Sequence, residues 1–294
     1  MKPTIQNLVR GIPRSLGSYG PIIRELEDVI NNPQSNLLKV GEVIEKDPDL
    51  TVRLLRLGNS SFYGFPTRLE TVSEAISLIG LVQVQDLLAA SSVMEVFTGV
   101  PEEFVSMESF WRHSLACGIG ARLLAISRRL AKPEKFFVAG LVHDLGRLVL
   151  YSQAPECAKE VFECYHSERQ LLRQAETKVM DFDHAQIGEA LLRLWQYPAQ
   201  LIEAVAFHHH PMVATTYPTG AAIVHVADHL VNAMQVGSSG ERFVPPLNLK
   251  AWEHLGFSSD MLESVMSAID DQIETVQEVF LAAQAPVTRD EPTP

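Results

Sequence analysis

The chain has 294 residues, of which 46% are hydrophobic and 20% are charged, which supplies a large core and excludes a wholly disordered protein. It carries 24 lysine and arginine residues against 36 aspartate and glutamate residues, so its net charge is −12 at pH 7. This acidity argues against sequence-independent binding to nucleic acid and against a peripheral role on anionic membranes.

Cysteine usage and hydropathy predict where the protein works. The chain has 3 cysteines and no Cys-x-x-Cys pair, which indicates a reduced protein rather than a disulfide scaffold or a thiolate zinc site. Residues 1–10 lack an apolar core of signal-peptide length, and no stretch reaches the ~18 apolar residues of a membrane span. We therefore expect a cytoplasmic protein.

The N-terminal part of the sequence predicts short helices with clear start signals. Asp47 followed by Pro48 is typical of an N-cap and a first helical residue, and Thr71 with Glu74 forms a capping box. Gly80 separates the last two helices of this part. The predicted helices are Leu37–Glu45, Asp49–Leu57, Thr71 to Gly80, and Val82–Phe97.

The C-terminal part predicts longer helices, one of them opened by Asp183 with Gln186 at its third position. The others are Ser109–Leu130, Pro133–Tyr151, Pro155–Glu176, Pro198–Pro211, Gly220–Met234 and Ser259–Ala283. Alternation with a period of two residues is nowhere sustained, so the predicted fold is all-α.

The helices group into two predicted lobes. We expect an N-terminal helical lobe over residues 1–106, a second helical lobe over residues 107–285, and a disordered, proline-rich tail over residues 286–294. No flexible linker separates the lobes, since the only break is the short stretch Thr98–Met107. The N-terminal lobe should therefore pack on the second lobe rather than form a detached domain.

His143 and Asp144 lie in an apolar run, from Phe136 to Leu145, that predicts burial. Burying a carboxylate requires a compensating partner. One candidate is Arg147, three residues further along. The other is a metal cation, for which adjacent imidazole and carboxylate groups are good ligands.

Other histidines and an aspartate occupy similar settings. Asp228 lies in an apolar helix between His225 and His229, where an internal hydrogen bond is one interpretation. The run His208–His210 closes a helix, where favourable interaction with the helix dipole is the simpler interpretation. Taken together with His113 and His184, these side chains favour a shared polar site inside a helical bundle, where such bundles build metal centres.

Several motifs in order along residues 15–232 resemble the HDOD family of the HD superfamily. His113, His143-Asp144 and Asp228 resemble the metal-binding pattern of HD phosphohydrolases. The segments that are similar to HDOD proteins are Asp47–Thr51, Leu55–Ser60, Phe62–Gly64, Thr71–Gly80, Phe110–Ser114, Ala139–Gly146, His184–Gly188 and His208–Pro211.

The resemblance implies a bacterial signal-transduction protein, of the kind tied to response regulators or second messengers, and it implies a divalent metal. Many HDOD proteins have lost metal ligands, whereas this sequence keeps a nearly full set. By resemblance, one metal would be held by His113, His143, Asp144 and Asp228, and a second by His184, His208 and His209 with Asp144 bridging. The ligand types suit iron, manganese, zinc or nickel alike.

Two departures separate the sequence from the related HD-GYP phosphodiesterases. Arg147 stands where that family has lysine, and the Gly-Tyr-Pro signature is missing, since Tyr217-Pro218 has no glycine-rich loop before it. We therefore expect a regulatory protein that binds metal and turns over little or no cyclic dinucleotide. Its expected partner is a signalling protein, and a homodimer is a further possibility.

Three alternatives remain open on the sequence alone. A metal-dependent phosphohydrolase would use Asp144 at the metals and Arg147 on the phosphate of a nucleotide. A DNA-binding regulator is disfavoured by the net charge, and Arg53, Arg56 and Arg68 are too sparse for a basic stripe. A polar core held by hydrogen bonds and water, with no metal, is the third.

Overall fold

A computed structural model of the chain describes residues 2–13, 25, 26, 28, 29, 36–97 and 100–281. These residues form helices and connecting turns, and no strand occurs among them, so the all-α prediction is confirmed. The helices are α1 (Ile5–Arg10), α2 (Leu37–Glu45), α3 (Pro48–Gly58), α4 (Val72–Ile79), α5 (Leu81–Val96), α6 (Met107–Ser127), α7 (Glu134–Val142), α8 (Leu145–Gln153), α9 (Pro155–Glu168), α10 (Leu172–Met180), α11 (His184–Leu194), α12 (Ala199–Ala206), α13 (Pro218–Met234), α14 (Leu249–Leu255) and α15 (Ser259–Leu281).

The helix starts follow the capping signals of the sequence. The Asp47 carboxylate accepts the backbone N–H of Asp49 at 2.9 Å and opens α3. Reciprocal capping boxes open α4 at Thr71 and α11 at Asp183. Each box satisfies backbone N–H groups that a helix start leaves unpaired.

Three predicted helices are shorter in the structure than in the prediction, because the chain changes direction within them. Pro133–Tyr151 is broken at Asp144, whose φ of −100° and ψ of 8° separate α7 from α8. Pro155–Glu176 is broken at Arg169, which adopts the left-handed conformation. Pro198–Pro211 ends at Ala206, so the histidines that follow lie in a turn. None of these breaks coincides with a glycine or a proline, so no local sequence signal marks them.

The two lobes share one apolar core. The guanidinium of Arg122 on α6 lies 4.2 Å from the centre of the Phe62 ring and donates to the Phe62 carbonyl at 2.7 Å. Phe62 also contacts Phe137 of α7 edge-on, with ring centres 5.1 Å apart. The N-terminal lobe therefore packs directly on the second lobe. The lobe boundaries stay a prediction, and the predicted tail over 286–294 lies outside the described residues.

The long C-terminal helix α15 packs back on the bundle. Its residues Ile269, Ile273 and Val276 are buried, and Arg112 of α6 forms an ion pair with Glu274 at 2.5 Å. This contact helps to hold α6, which carries the first candidate ligand, at the centre of the fold. Among the described residues, no helix combines the length and the apolar composition that crossing a membrane requires.

Candidate metal centre

Seven side chains singled out by the sequence meet at one point inside the bundle. They come from α6, the turn between α7 and α8, the start of α11, the turn after α12, and α13. All are buried except His209, which is half-buried. The set is His113, His143, Asp144, His184, His208, His209 and Asp228.

Asp144 divides this set into two halves. Its Oδ2 atom lies 3.4 Å from Nε2 of His143 and 3.9 Å from Nε2 of His113. Its Oδ1 atom lies 3.0 Å from Nε2 of His184 and 3.9 Å from Nε2 of His208. A carboxylate with one oxygen in each half is placed to bridge two cations, as in binuclear metal sites.

Asp228 and His209 complete the two halves. Oδ1 of Asp228 lies 3.3 Å from Nε2 of His113 and 3.5 Å from Nε2 of His143. Nε2 of His209 lies 2.9 Å from Nε2 of His184. Because bonds from a metal to nitrogen and oxygen ligands are about 2.0–2.2 Å long, donor atoms at these separations fit around shared cations.

The histidine rings are oriented by hydrogen bonds on their far nitrogens. Nδ1–H of His143 donates to the Gly140 carbonyl, and Nδ1–H of His208 donates to the Val205 carbonyl, each at 2.7 Å. In the neutral imidazoles, these bonds leave Nε2 as the lone-pair atom facing the centre. A partner on the far nitrogen that fixes the tautomer is the arrangement found around metal-ligating histidines.

The donor set fits a cation better than a hydrogen-bonded polar core. Nε2 of His143 and Oδ1 of Asp144 are buried, and neither makes a well-aligned hydrogen bond with another described residue, although Oδ1 lies 3.0 Å from Nε2 of His184. Nε2 of His184 and Nε2 of His208 face each other at 3.4 Å. Two acceptor lone pairs at this distance repel unless a proton or a metal ion lies between them.

The electrostatics of the centre are dominated by its carboxylates. Burial opposes ionisation of Asp144, but Arg147, His143 and His184 outweigh it and hold its pKa well below its usual value. Burial would lower the pKa of His143, yet Asp144 and Asp228 raise it to about 10. In contrast, burial and then the neighbouring His143 and His184 lower the pKa of His208 to about 3. The two carboxylates therefore favour a positive charge beside them, which either a protonated His143 or a bound cation supplies.

Close helix approach brings the ligands together. A Cβ atom on Gly146 would overlap the carbonyl of His184, so α8 and α11 meet only because this residue is glycine. A Cβ on Gly140 would meet the Cys117 carbonyl carbon at 2.6 Å, which ties α7 to α6 in the same way. These contacts place His184 beside Asp144 and His143 beside His113.

Two buried residues at the centre were not predicted from the sequence. Glu176 of α10 accepts two hydrogen bonds from His184, one from Nδ1–H at 2.6 Å and one from the backbone N–H at 2.9 Å. Burial opposes ionisation of Glu176, but its contacts with His184 and Arg147 lower its pKa to about 2. Cys117 lies one turn after His113, and its Sγ is 3.6 Å from Nε2 of His113. Cys117 follows His113 by four residues and so shares its helix face, which is the one sequence signal for the cysteine. Nothing in the sequence pointed to Glu176.

Arg147 is buried, and its donors are engaged within the protein. It forms ion pairs with Asp144 at 3.0 Å and with Glu176 at 3.2 Å, and it also donates to the Ser239 hydroxyl. Its side chain is 4% exposed. The structure therefore places Arg147 as a partner of the buried carboxylates rather than as a free donor for a phosphate group.

The loop over residues 235–248, between α13 and α14, covers the centre. Glu241 anchors this loop by accepting the backbone N–H of Leu172 at 2.7 Å and the Tyr165 hydroxyl at 3.1 Å. Nδ1–H of His229 donates to the Pro245 carbonyl at 2.7 Å. The cavity that remains beneath the loop measures about 20 Å³. Since a water needs about 10–15 Å³ of such space, this cavity has room for about one water.

The other histidines have structural partners or lie outside the centre. His225 donates to the His208 carbonyl at 2.8 Å and accepts the backbone N–H of Asn248 at 2.8 Å, so both of its nitrogens are used. His210 is exposed beside Arg173, at 3.0 Å. Asp228 contacts His113 and His143 rather than forming the internal hydrogen bond with His225 or His229 that was one interpretation of the sequence.

Comparison with known proteins defines the family. The HDOD domain profile matches residues 16–211, so the chain belongs to the HDOD domain family, as the sequence motifs predicted. An uncharacterized protein of Treponema pallidum (strain Nichols) is 29% identical over 187 residues, which is 63% of this chain and 36% of the relative. The chain thus spans about a third of the length of this relative.

Solved structures share the fold. An HDOD domain protein of unknown function from Geobacter sulfurreducens superposes with a TM-score of 0.69 at 22% identity, covering 93% of this chain and 96% of that one. A candidate phosphohydrolase from Shewanella amazonensis SB2B superposes with a TM-score of 0.70 at 23% identity, covering 95% and 97%. At these identities the likeness establishes the shared all-α architecture.

Proposed function

We propose that this chain is a bacterial signal-transduction protein whose buried centre binds one or two divalent metal ions and turns over little or no substrate. His113, His143, Asp144 and Asp228 would hold one ion, and a second would lie between Asp144 and the group His184, His208 and His209. When bound, such ions act as Lewis acids and lower the pKa of a coordinated water. Iron, manganese, zinc and nickel all suit this ligand set.

The observation that carries the regulatory proposal is the closure of the centre. A hydrolase needs an open coordination position and space for the incoming phosphate ester. Here the cavity beneath the 235–248 loop holds about 20 Å³, and Arg147 is committed to Asp144, Glu176 and Ser239. The side chains thus serve to bind and orient a cation and to exclude bulk water.

A metal-dependent phosphohydrolase is the alternative, and one observation favours it. Asp144 presents one oxygen to each half of a two-part ligand set, an arrangement that suits a binuclear hydrolytic site. The name of the Shewanella protein points the same way. In this alternative the 235–248 loop would have to move away from Arg147 before a nucleotide could enter.

A protein partner is the proposed output of the regulatory form. One candidate place for this contact is the N-terminal lobe, where four consecutive helices each expose one aliphatic side chain. They are Leu38 (66% exposed), Val52 (50%), Leu78 (53%) and Val82 (46%). The partner in such a contact could also be a second copy of this chain. The acidic charge of the chain disfavours nucleic acid as a partner.

Metal analysis of the purified protein tests the proposal. The protein is prepared without chelator or nickel resin, and metals are counted by elemental analysis. We expect one or two metal ions per chain, loss of metal in Asp144→Asn, and full retention in His210→Ala, which removes an exposed neighbour of the ligands. A wild-type protein that stays metal-free after incubation with manganese, iron or zinc would support the hydrogen-bonded polar core instead.

A further inference from the structure

A second cavity lies one helical turn away from the metal centre. It is bounded by the starts of α7, α12 and α13 and measures about 360 Å³. This size falls within the range of small-molecule binding sites, about 300–1,000 Å³. The 235–248 loop does not line it, so it is distinct from the closed cavity at the centre.

The walls of this cavity are apolar, and its charge is one-sided. Phe136, Ala139, Leu201 and Ala204 contribute apolar surface. Lys135 is the one charged side chain among its described lining residues, and no aspartate or glutamate is among them, although the chain has 36 of these residues. The Lys135 ammonium lies 4.9 Å from the Phe136 ring centre and has no carboxylate partner within the described residues.

The start of α12 adds positive potential to the same place. It has no capping side chain and no acidic residue in its first turn. Glu134 lies in the first turn of α7, and Glu203 accepts the N–H groups of Thr216 and Tyr217 just before α13, so these two starts already face a carboxylate. The start of a helix carries a partial positive charge. Together with Lys135, the start of α12 favours a ligand that carries a negative group.

A thin apolar layer separates the cavity from the metal centre. Ala139, Ala204 and Val224 pack together in this layer. Each lies four residues before a candidate ligand, and these ligands are His143, His208 and Asp228. One helical turn spans about 5.4 Å, so a ligand that touches Ala139 and Ala204 lies about one turn from the centre.

We propose that this cavity binds a small amphipathic anion, with an apolar acyl or aromatic body inside and a carboxylate or sulfonate group at Lys135. Occupancy of the cavity displaces α7 and α12 relative to each other and so changes the affinity of the centre for metal. The change in metal affinity rests on the metal-binding function proposed above, whereas the binding of the anion does not. The protein would then sense the anion through this cavity, and the metal affinity of the centre would respond to its binding.

Calorimetric titration of the full chain with decanoate and with anilinonaphthalene sulfonate tests the binding site. We expect saturable binding of one molecule per chain for both anions and none for decyltrimethylammonium, which has the same chain length but a positive head. Lys135→Glu should weaken binding about tenfold or more, because it replaces the one cation by a repelling charge. Lys135→Arg should keep most of the affinity.

Two further variants make the result specific. Leu201→Trp fills part of the cavity and should also weaken binding about tenfold, with its fold checked by circular dichroism. Lys39→Glu makes the same change of net charge at an exposed position of α2 and should leave binding unchanged. No binding of either anion, or equal affinity in wild type, Lys135→Glu and Leu201→Trp, would overturn the proposal.

A metal titration with and without saturating decanoate tests the coupling. We expect the manganese dissociation constant to change about fivefold or more, with the same factor appearing in the decanoate affinity when metal is present. Identical constants would overturn the coupling while leaving the binding site in place. A protein that binds decanoate but no metal would contradict the metal proposal alone.

Discussion

Oδ1 of Asp144 lies 3.0 Å from Nε2 of His184, while the other oxygen of the same carboxylate faces His143 at 3.4 Å. This relationship depends on the break between α7 and α8 at Asp144. In a continuous helix, neighbouring side chains point about 100° apart. The break lets His143 and Asp144 face the same centre, and it places the carboxylate between the two groups of ligands.

Removing the Asp144 carboxylate should cost both metal and stability. Asp144→Ala leaves Arg147 buried with Glu176 as its remaining carboxylate partner, and breaking a buried pair of this kind costs about 3–5 kcal/mol. Urea unfolding should show this loss, and elemental analysis should show metal below one ion per chain. The exposed His166→Ala serves as the control and should change neither. Unaltered stability of Asp144→Ala would contradict the buried ion-pair network.

Glu176 should act through His184. Glu176→Gln keeps the size of the side chain but removes the charge that holds the imidazole, and such changes around metal-ligating histidines reduce metal affinity about 10–100-fold. Competition with a chelator of known affinity measures the change. The matched control is Glu189→Gln, which removes a surface pairing with Arg193 on α11 and should leave the affinity as in wild type. An unchanged affinity in Glu176→Gln would place His184 outside the metal site.

The 235–248 loop should control access to the centre. Glu241→Ala removes the acceptor for the Leu172 N–H and the Tyr165 hydroxyl, at a cost of about 1–3 kcal/mol for the groups left unpaired. We expect faster removal of metal by excess chelator and faster hydrogen exchange within the loop than in wild type. Arg242→Ala, at an exposed neighbouring position, should behave as wild type. Equal chelation rates in Glu241→Ala and wild type would show that metal leaves by another route.

The two lobes should unfold together. Arg122 contacts the Phe62 ring and carbonyl across the lobe interface, and both lobes contribute to one apolar core. Differential scanning calorimetry should give one cooperative transition, and Arg122→Met should lower its midpoint without splitting it. Two separate transitions in the wild-type protein would indicate that the lobes are independent domains.

Local sequence signals predicted most of the helices but not their relative directions. Asp47, Thr71 and Asp183 predicted helix starts because a cap acts over a few residues. The breaks at Asp144 and Arg169 were missed because they depend on packing against distant helices. Short helices such as α1 and α14 were missed because six or seven residues carry little periodicity.

The candidate site was predicted where its residues stand out in an apolar setting. His143 and Asp144 in an apolar run indicated a buried site, and the resemblance to the HDOD family connected them with His113 and Asp228. Glu176 carried no such signal, because its surroundings on α10 are polar in sequence and its burial arises only when α10 packs beside α11. The covering of Arg147 could not be predicted for the same reason, because Arg147 contacts Ser239 in a loop about 90 residues further along the chain.

A turnover assay on metal-replete protein tests the central claim most directly. The protein, loaded with manganese or iron, is incubated with cyclic di-GMP and a panel of nucleotides, and cleavage of the phosphate esters is followed. The closed centre and the engaged Arg147 predict bound metal with no cleavage above that of Asp144→Asn. Turnover on the order of 1 per second or faster, abolished in Asp144→Asn, would contradict the account and establish the phosphohydrolase.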